Sequence, residues 1–492
     1  MRGSTKKLRA ACLALCLAAA AGVPAGASAS PLTVSPSAGG RPIPAGFVGL
    51  SVEFRGLAAY AGTDPRAVDP AFLQLIRDIA PRQRPVLRIG GDSTDWSWWP
   101  VPYLTRPPGI RYDLTPDFMS VARSLAQTLR ARLILGINLE ANSRRLAAAE
   151  ATAMVKRIGA SAIDALEIGN EAELYKSFGW YRTASGQEIP GRPPSYDLSA
   201  FMGDFSRIAR VMPRVPLAGP SDGGSWLASL GSFLGQEPSV RVATLHAYPL
   251  KHCTPSQVVT TAQLLADSSS HGLAAYLLPY VAIARHHRVA TRVDELNAVT
   301  CGGQRGVSDT FGSALWSLDA LFEMAAVGVD GVNFHTVPGT INEILGPSFT
   351  GGHWQVRVHP EYYGLVMFAQ AAPPGSQLLQ IGGAQMVGVK TWATLAPDRT
   401  LRVTLINKHL RRGETVRLRL PAGYGPASLE QLRAPSVQAT SQVTLGGQTF
   451  GSQTRTGLLA GPSRVSTLRP VRGTYVVHLP PASASLLVLA AG

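Results

Sequence analysis

The sequence predicts an α/β fold: a (β/α)8 TIM barrel with an additional C-terminal antiparallel β-sandwich domain. Three observations predict it. Between residues 47 and 370 short apolar runs alternate with longer segments of helical period, the pattern of repeated strand-helix units around a parallel sheet. The runs number eight, the strand count of a closed barrel. After about residue 373 the pattern becomes apolar-polar alternation broken by Gly, Pro and Ser, as antiparallel strands with one wet face require. A doubly wound open sheet is the competing topology for the first part.

In order, the eight runs are FVGLSVE (47–53), VLRIG (86–90), LILGIN (133–138), ALEIGN (165–170), VPLAG (215–219), VATLHA (242–247), ATRVDE (290–295) and GVNFH (331–335). Helix starts stand between them. Asp69-Pro70, Thr115-Pro116 and Thr254-Pro255 each set a capping side chain before a proline at the first helical position, where the missing N–H costs nothing. Alternation in the last part is clearest at Leu401-Arg402-Val403-Thr404-Leu405 and Val416-Arg417-Leu418-Arg419-Leu420. The expected organisation is therefore a leader at 1–29, a barrel at 45–372 and a sandwich at 373–492, with 31–44 free to add a strand to it.

Composition narrows the class. At 492 residues, 45% hydrophobic and 16% charged, the chain is too long for one small module and too apolar for a disordered one. The first 29 residues combine a basic start, a short apolar run and an Ala27-Ser28-Ala29 site, the pattern of a secretory signal peptide cut near Ala29, so a secreted protein is expected. Bulky Leu15 before Cys16 argues against a lipid anchor at that cysteine. The run is too short to span a bilayer and no later stretch is long enough, so no membrane partner is expected. Of the +15 net charge, Arg2, Lys6, Lys7 and Arg9 leave with the leader, and +11 remains. No basic run with interleaved aromatics accompanies that charge, so nucleic acid is not expected either. Cys253 and Cys301 are left in a compartment that permits disulfides; they follow adjacent strands six and seven, and a bridge there would staple two pocket loops. Two free thiols are the alternative. Cys/His ligand spacings are absent, and no cofactor is implied.

In a barrel of this kind the carboxyl ends of the strands face one pocket. The shortlist so defined is Glu53, Asp92, Asn138, Asn170 and Glu171, Ser221 and Asp222, His246 and Tyr248, Glu295, Asn333 and His335. Glu171 ends strand four and Glu295 ends strand seven, across the ring from each other, with Glu167 pointing elsewhere in register. Two opposed carboxyl groups suit glycoside cleavage, in which one protonates the leaving oxygen and the other attacks the anomeric carbon. An alternative is a metal held by His246, His335 and Asp92. Each strand offers a single histidine, which favours hydrogen-bonded pocket histidines instead.

Asn170-Glu171, Glu295, the strand-two stretch Leu87-Arg88-Ile89-Gly90-Gly91 with Thr94-Asp95, and the run from Gly302-Gly303 to Ser308-Asp309-Thr310-Phe311 together resemble glycoside hydrolase family 79, the family of heparanase and microbial β-glucuronidases. The resemblance implies a retaining β-glycosidase with Glu171 as general acid/base and Glu295 as nucleophile. It further implies that Asn170 binds the neighbouring sugar hydroxyl, that Tyr248 bonds the nucleophile, and that Glu53 and Asp92 contact the non-reducing sugar. The backbone amides of Cys301, Gly302 and Gly303 would receive a sugar carboxylate, which makes the expected partner a β-linked glucuronide or a uronic-acid-containing oligosaccharide. The family commonly adds a tyrosine after strand eight; 336–345 has none, and Arg305 is the candidate substitute. The competing readings are a β-xylosidase or arabinofuranosidase of the same clan and a non-catalytic carbohydrate-binding protein. Oligomeric state and endo or exo action are not legible in the sequence.

Overall fold

A computed structural model describes residues 30–491; the expected leader at 1–29, with Cys16 and the site near Ala29, lies outside the described residues. Eight strands close into a parallel barrel: β1 (Val48–Glu53), β2 (Val86–Gly90), β3 (Arg132–Ile137), β4 (Ile163–Ile168), β5 (Leu217–Asp222), β6 (Val240–Ala247), β7 (Ala290–Leu296) and β8 (Gly331–Thr336). Each pairs with the next, β8 pairs with β1, and the ring is complete. All eight runs read from the sequence became strands, because runs buried on both faces are near-continuously apolar.

Two of the three cap signals act as expected. Asp69 accepts the Ala71 amide ahead of the helix Pro70–Ile79, and Thr115 accepts the Phe118 amide ahead of Pro116–Leu129. Thr254-Pro255 starts no helix. Gln257 Oε1 takes the amides of Cys253 and Thr254 at 2.8 and 3.1 Å, which closes a turn, and the helix that follows spans only Thr261–Leu264 under a Thr260/Gln263 capping box.

The second domain is a single ten-stranded sheet that coils over itself. Its path runs from Thr444–Leu445 through Ala427–Arg433, Ser483–Leu489, Leu401–Asn407, Val389–Leu395 and Gln377–Gly382 to Leu32–Gly39, Glu414–Arg419 and Thr474–Leu479, with Ser466–Leu468 paired to Ala427–Arg433 beside it. Residues from strands far apart on that path, Leu487 and Leu489 with Tyr475 and Val477, meet in one apolar cluster. The sheet is not wholly antiparallel: Leu32–Gly39 pairs antiparallel with Gln377–Gly382 but in parallel with Glu414–Arg419. A strand that arrives from before the barrel need not obey hairpin direction, and a long connection permits either sense.

Barrel and sheet domain share a core. Ile406, Leu432, Ala484 and Leu486 belong to the same buried cluster as the barrel helices, and Phe322 stacks on Trp392 at 5.3 Å. Among the described residues no helix is long and apolar enough to cross a membrane.

Candidate active site

The carboxyl ends of the strands converge on one buried arginine. Arg88, in the middle of β2, is wholly shielded from solvent, and its guanidinium reaches side chains on five other strands, Ser51 and His246 among them. Nε lies 2.7 Å from Glu167 Oε2 and 3.0 Å from Asp294 Oδ2; Nη1 donates to Glu295 Oε2 at 2.7 Å; Nη2 donates to Asn170 Oδ1 at 2.7 Å and to Ser221 Oγ at 3.1 Å. A charge buried this deeply is tolerated only when paired and fully hydrogen-bonded.

Local backbone aims the acids. Gly169, at φ 80°, turns the chain out of β4, and a side chain there would press within 2.9 Å of both the Tyr175 hydroxyl and Leu139. Glu171 itself adopts a left-handed conformation, φ 46°, with its amide donating to Ser221 O at 2.9 Å. Asp95 locks this corner: Oδ1 takes the amides of Leu139 and Glu140, and Oδ2 takes the Asn170 amide and the Tyr175 hydroxyl, at 2.6 to 3.1 Å. On the other side, β7 carries one residue more than its neighbours between Val293 and Leu296, a bulge in register against both β6 and β8. The bulge breaks period-two alternation, so consecutive Asp294 and Glu295 both face inward.

Glu171 and Glu295 meet across the pocket. With His246 they present oxygen and nitrogen atoms all within 4.8 Å of one another. Each of those atoms already has a protein partner: His246 Nδ1 is 2.8 Å from Glu171 Oε1, Tyr248 donates to Glu295 Oε1 at 2.9 Å, and Arg88 holds Glu295 Oε2. The cluster is therefore a hydrogen-bonded carboxylate pair. His335 likewise bonds Ser51 Oγ at 3.0 Å and stands 3.6 Å from Glu53. Both histidines are thus pocket histidines, and Asp92 does not join them in a ligand set.

Electrostatics separates the acids. Burial alone would raise Glu295, but His335, His246 and Arg88 outweigh it and hold this carboxyl far below the usual carboxylate range. Burial would lower His246; the charges of Glu295 and Glu171 lift it to about 10. Asp92 stands at the open mouth of the pocket, where desolvation in the crevice and then the charges of Glu53, Glu295 and Glu171 push it up to about 8. Behind Glu171, burial and the charge of Asp222 push Glu173 up to about 10, while its Oε1 accepts the Gly223 amide at 2.6 Å.

Of the residues expected from sequence, the structure brings together Glu171, Glu295, Asn170, Tyr248, Glu53 and Asp92. Glu53 Oε2 accepts the Ser93 amide at 2.8 Å, and Asn170 Nδ2 is 3.4 Å from Asp92. Cys253 and Cys301 form a disulfide, with Cα atoms 5.2 Å apart, that ties the loop after β6 to the loop after β7. Cys301, Gly302 and Gly303 follow one another at positive φ, which exposes a run of amides on one side. The Gly303 amide is already spent on Thr300 O at 3.2 Å, whereas those of Cys301 and Gly302 have no acceptor among the described residues. Arg305 turns away: its side chain is 81% exposed and sits 4.0 Å from Asp309.

Other expectations need correction. Glu167 does not point away from the pocket axis; it faces the barrel interior one layer below Glu171, because Arg88 compensates its charge. Asn138 serves structure by donating to Asp95 O and Ser97 O, and Asn333 does the same at the amino end by donating to Leu50 O and Val86 O. Asp222 caps the loop after β5 by accepting the amides of Gly224 and Trp226. Arg88, Asp294 and Glu173 were not singled out as site residues. For Arg88 a signal existed, since a lone arginine inside the apolar run VLRIG must find buried anions.

A closed parallel barrel whose opposite strand ends set two carboxyl groups over one arginine defines a glycoside hydrolase. Comparison with known proteins agrees and goes further. Residues 391–486 match the family model described as glycosyl hydrolase family 79 C-terminal beta domain. The chain is 23% identical over 413 residues to a β-glucuronidase of Neurospora crassa, covering 73% of this chain and 69% of that one. Among solved structures it resembles a 4-O-α-L-rhamnosyl-β-D-glucuronidase of Fusarium oxysporum, determined as a Rha-GlcA complex (TM-score 0.72, 22% identity, 93% of this chain and 100% of that one). A family 51 arabinofuranosidase of Xanthomonas axonopodis pv. citri shares the fold at lower similarity (TM-score 0.63, 16% identity, 93% and 99%). The chain is thus similar to glycoside hydrolase family 79 through its C-terminal domain and to β-glucuronidases over most of its length, and is a β-glucuronidase-like glycosidase.

Proposed function

We propose that the protein is a secreted retaining β-glucuronidase that cleaves β-linked glucuronides, small aryl glycosides or the uronic-acid end of an oligosaccharide, through a covalent glycosyl-enzyme intermediate. One observation carries the reading: the facing carboxylate oxygens of Glu171 and Glu295 lie within 4.8 Å. Retention needs carboxyl groups about 5 to 5.5 Å apart, whereas inversion leaves room for a water at about 6.5 to 9.5 Å.

Glu295 is ionised and is the nucleophile; Arg88 and Tyr248 each hold one of its oxygens and fix its approach to the anomeric carbon. Glu171 shares a proton with His246 Nδ1 and delivers it to the leaving oxygen, then takes one from the water that attacks the intermediate. The uronate carboxylate is received by the amides of Cys301 and Gly302, which need no lysine because successive N–H groups in a left-handed turn already favour an anion. Glucuronidase relatives support the choice of sugar, and the leader pattern at 1–29 supports export.

A panel of nitrophenyl β-glucuronide, β-glucoside, β-galactoside, β-xyloside and α-arabinofuranoside tests both halves of the reading. The expected outcome is turnover of the glucuronide alone, with the first-released glucuronic acid in the β form by NMR. Preference for a neutral sugar would reject the uronate assignment. Release of the α form would reject retention.

A further inference from the structure

Below the catalytic carboxyl groups the barrel interior holds a second pair of acids. Glu167 projects from β4 and Asp294 from β7; both are completely buried and lie within hydrogen-bonding reach of each other. They lean on one donor, Arg88 Nε, at 2.7 Å to Glu167 and 3.0 Å to Asp294. A single N–H satisfies one carboxylate oxygen well. Glu167 Oε1 and, by hydrogen-bond geometry, both oxygens of Asp294 are left without a donor among the described residues. Buried carboxylates are not left in that state unless a proton is present that supplies the missing donor.

Charge counting gives the same result. Arg88 also holds Glu295 at 2.7 Å, so three ionised acids would confront one permanent cation in a dry interior. The remaining charged groups facing Asp294 are His246 on β6, at 3.8 Å, and Arg292 two residues back on β7, which is turned toward Gly46 and Asn333 at the amino end of the barrel. Glu167 has the shorter contact with Arg88 and is the anion of the pair.

We propose that Asp294 is a carboxylic acid that keeps its proton across the working pH range, donates it to Glu167, and so acts as a positioning residue that leaves Arg88 Nη1 free to hold the nucleophile Glu295. The proposal rests on the assignment of Glu295 as nucleophile. Burial and the charge of Glu167 push Asp294 upward, against Arg88 and His246, while Glu167 is held low, the direction a shared proton requires. A carboxylate at 294 would compete with Glu295 for the same guanidinium. A neutral donor instead completes the Glu167 shell and leaves the arginine divided as observed.

The test uses the full-length enzyme and whichever aryl glycoside it turns over. Asp294→Asn supplies an N–H where the acid supplies O–H, so kcat and KM are expected to stay within about threefold of wild type, with both limbs of the kcat/KM pH profile in place. Asp294→Ala removes the donor; Glu167 then draws Arg88 toward itself, and kcat is expected to fall at least 30-fold with the acid limb moved to higher pH. A loss of more than tenfold in kcat for Asp294→Asn, a shifted limb in that variant, its failure to fold, or an Asp294→Ala enzyme indistinguishable from wild type would overturn the proposal. Wild-type activity on a neutral glycoside alone would reject the glucuronidase reading and leave this comparison intact.

Discussion

Two buried charge clusters in this protein are built on opposite principles. At the seam between barrel and sheet domain, Lys408 Nζ meets Asp319 Oδ2 at 2.6 Å and Lys390 Nζ meets Glu323 Oε1 at 2.8 Å, while Ser270 and Trp392 donate to the two oxygens of Asp319. Two cations face two buried anions, and no carboxylate oxygen of that set lacks a partner among the described residues. At the top of the barrel one arginine faces Glu167, Asp294 and Glu295, and several oxygens there go unsatisfied. A satisfied network fixes a geometry and could be replaced by well-packed apolar groups. The other is completed only by a proton, so its geometry around the nucleophile depends on the protonation state of one buried acid.

The sharpest way to break this contrast is to change each cluster and measure turnover. Glu295→Ala is expected to lower kcat on the order of 10⁴-fold or more with little change in Tm, because it removes the nucleophile and relieves crowding. Lys408→Met with Asp319→Leu is expected to leave kcat and KM unaltered; a matching loss of activity would show that the seam is part of the catalytic machinery.

Stability comes next. Removing one partner of a buried pair strands the other, at about 3 to 5 kcal/mol. Asp319→Leu alone should therefore unfold at lower denaturant, and the double seam variant should recover most of the loss. Arg88→Met should cost at least as much and should not be recovered by neutralising any single acid, since three share the guanidinium. Recovery by Glu167→Gln alone would contradict the shared arrangement.

The Cys253–Cys301 bridge spans 48 residues and ties two pocket loops. Cys253→Ser with Cys301→Ser is expected to cost about 2 to 4 kcal/mol on denaturant unfolding. Its effect on KM for a glucuronide should exceed that on kcat, because the Cys301 and Gly302 amides move while Glu295 stays on its strand.

The smallest expected effect is on pH. With Asp92 raised to about 8, this group is a neutral acid below that pH and a carboxylate above it. Above pH 8 a further negative charge enters a pocket that takes an anionic sugar, so kcat/KM should fall on the alkaline side. Asp92→Asn should remove that limb whatever its effect on KM; persistence of the limb would assign it to another group, such as His246.

Much of this arrangement was legible from local patterns. The eight strands announced themselves because buried parallel strands are apolar runs, and two helix caps did so because Asp69 and Thr115 sit directly before proline. Glu171 and Glu295 were legible as acids at strand ends, and Cys253 and Cys301 as neighbours once the strand order was assumed. Thr254-Pro255 misled, since a cap signal states what a helix start tolerates and not that a helix follows. Asp294 was passed over because period-two alternation is a rule for unbroken strands, and one extra residue in β7 cancels it; Glu167 was misjudged because the charge that lets it face inward, Arg88, comes from another strand.

By itself the sequence determined the parts: how many strands, which acids end them, which glycines permit left-handed turns. Those are properties of short stretches, set by side-chain volume, polarity and backbone sterics within a few residues. Which charges share an arginine, which acid keeps a proton and which lysines hold the sheet domain to the barrel were decided only when the ring closed, because electrostatic interaction depends on distance through space and burial, and neither is written along the chain.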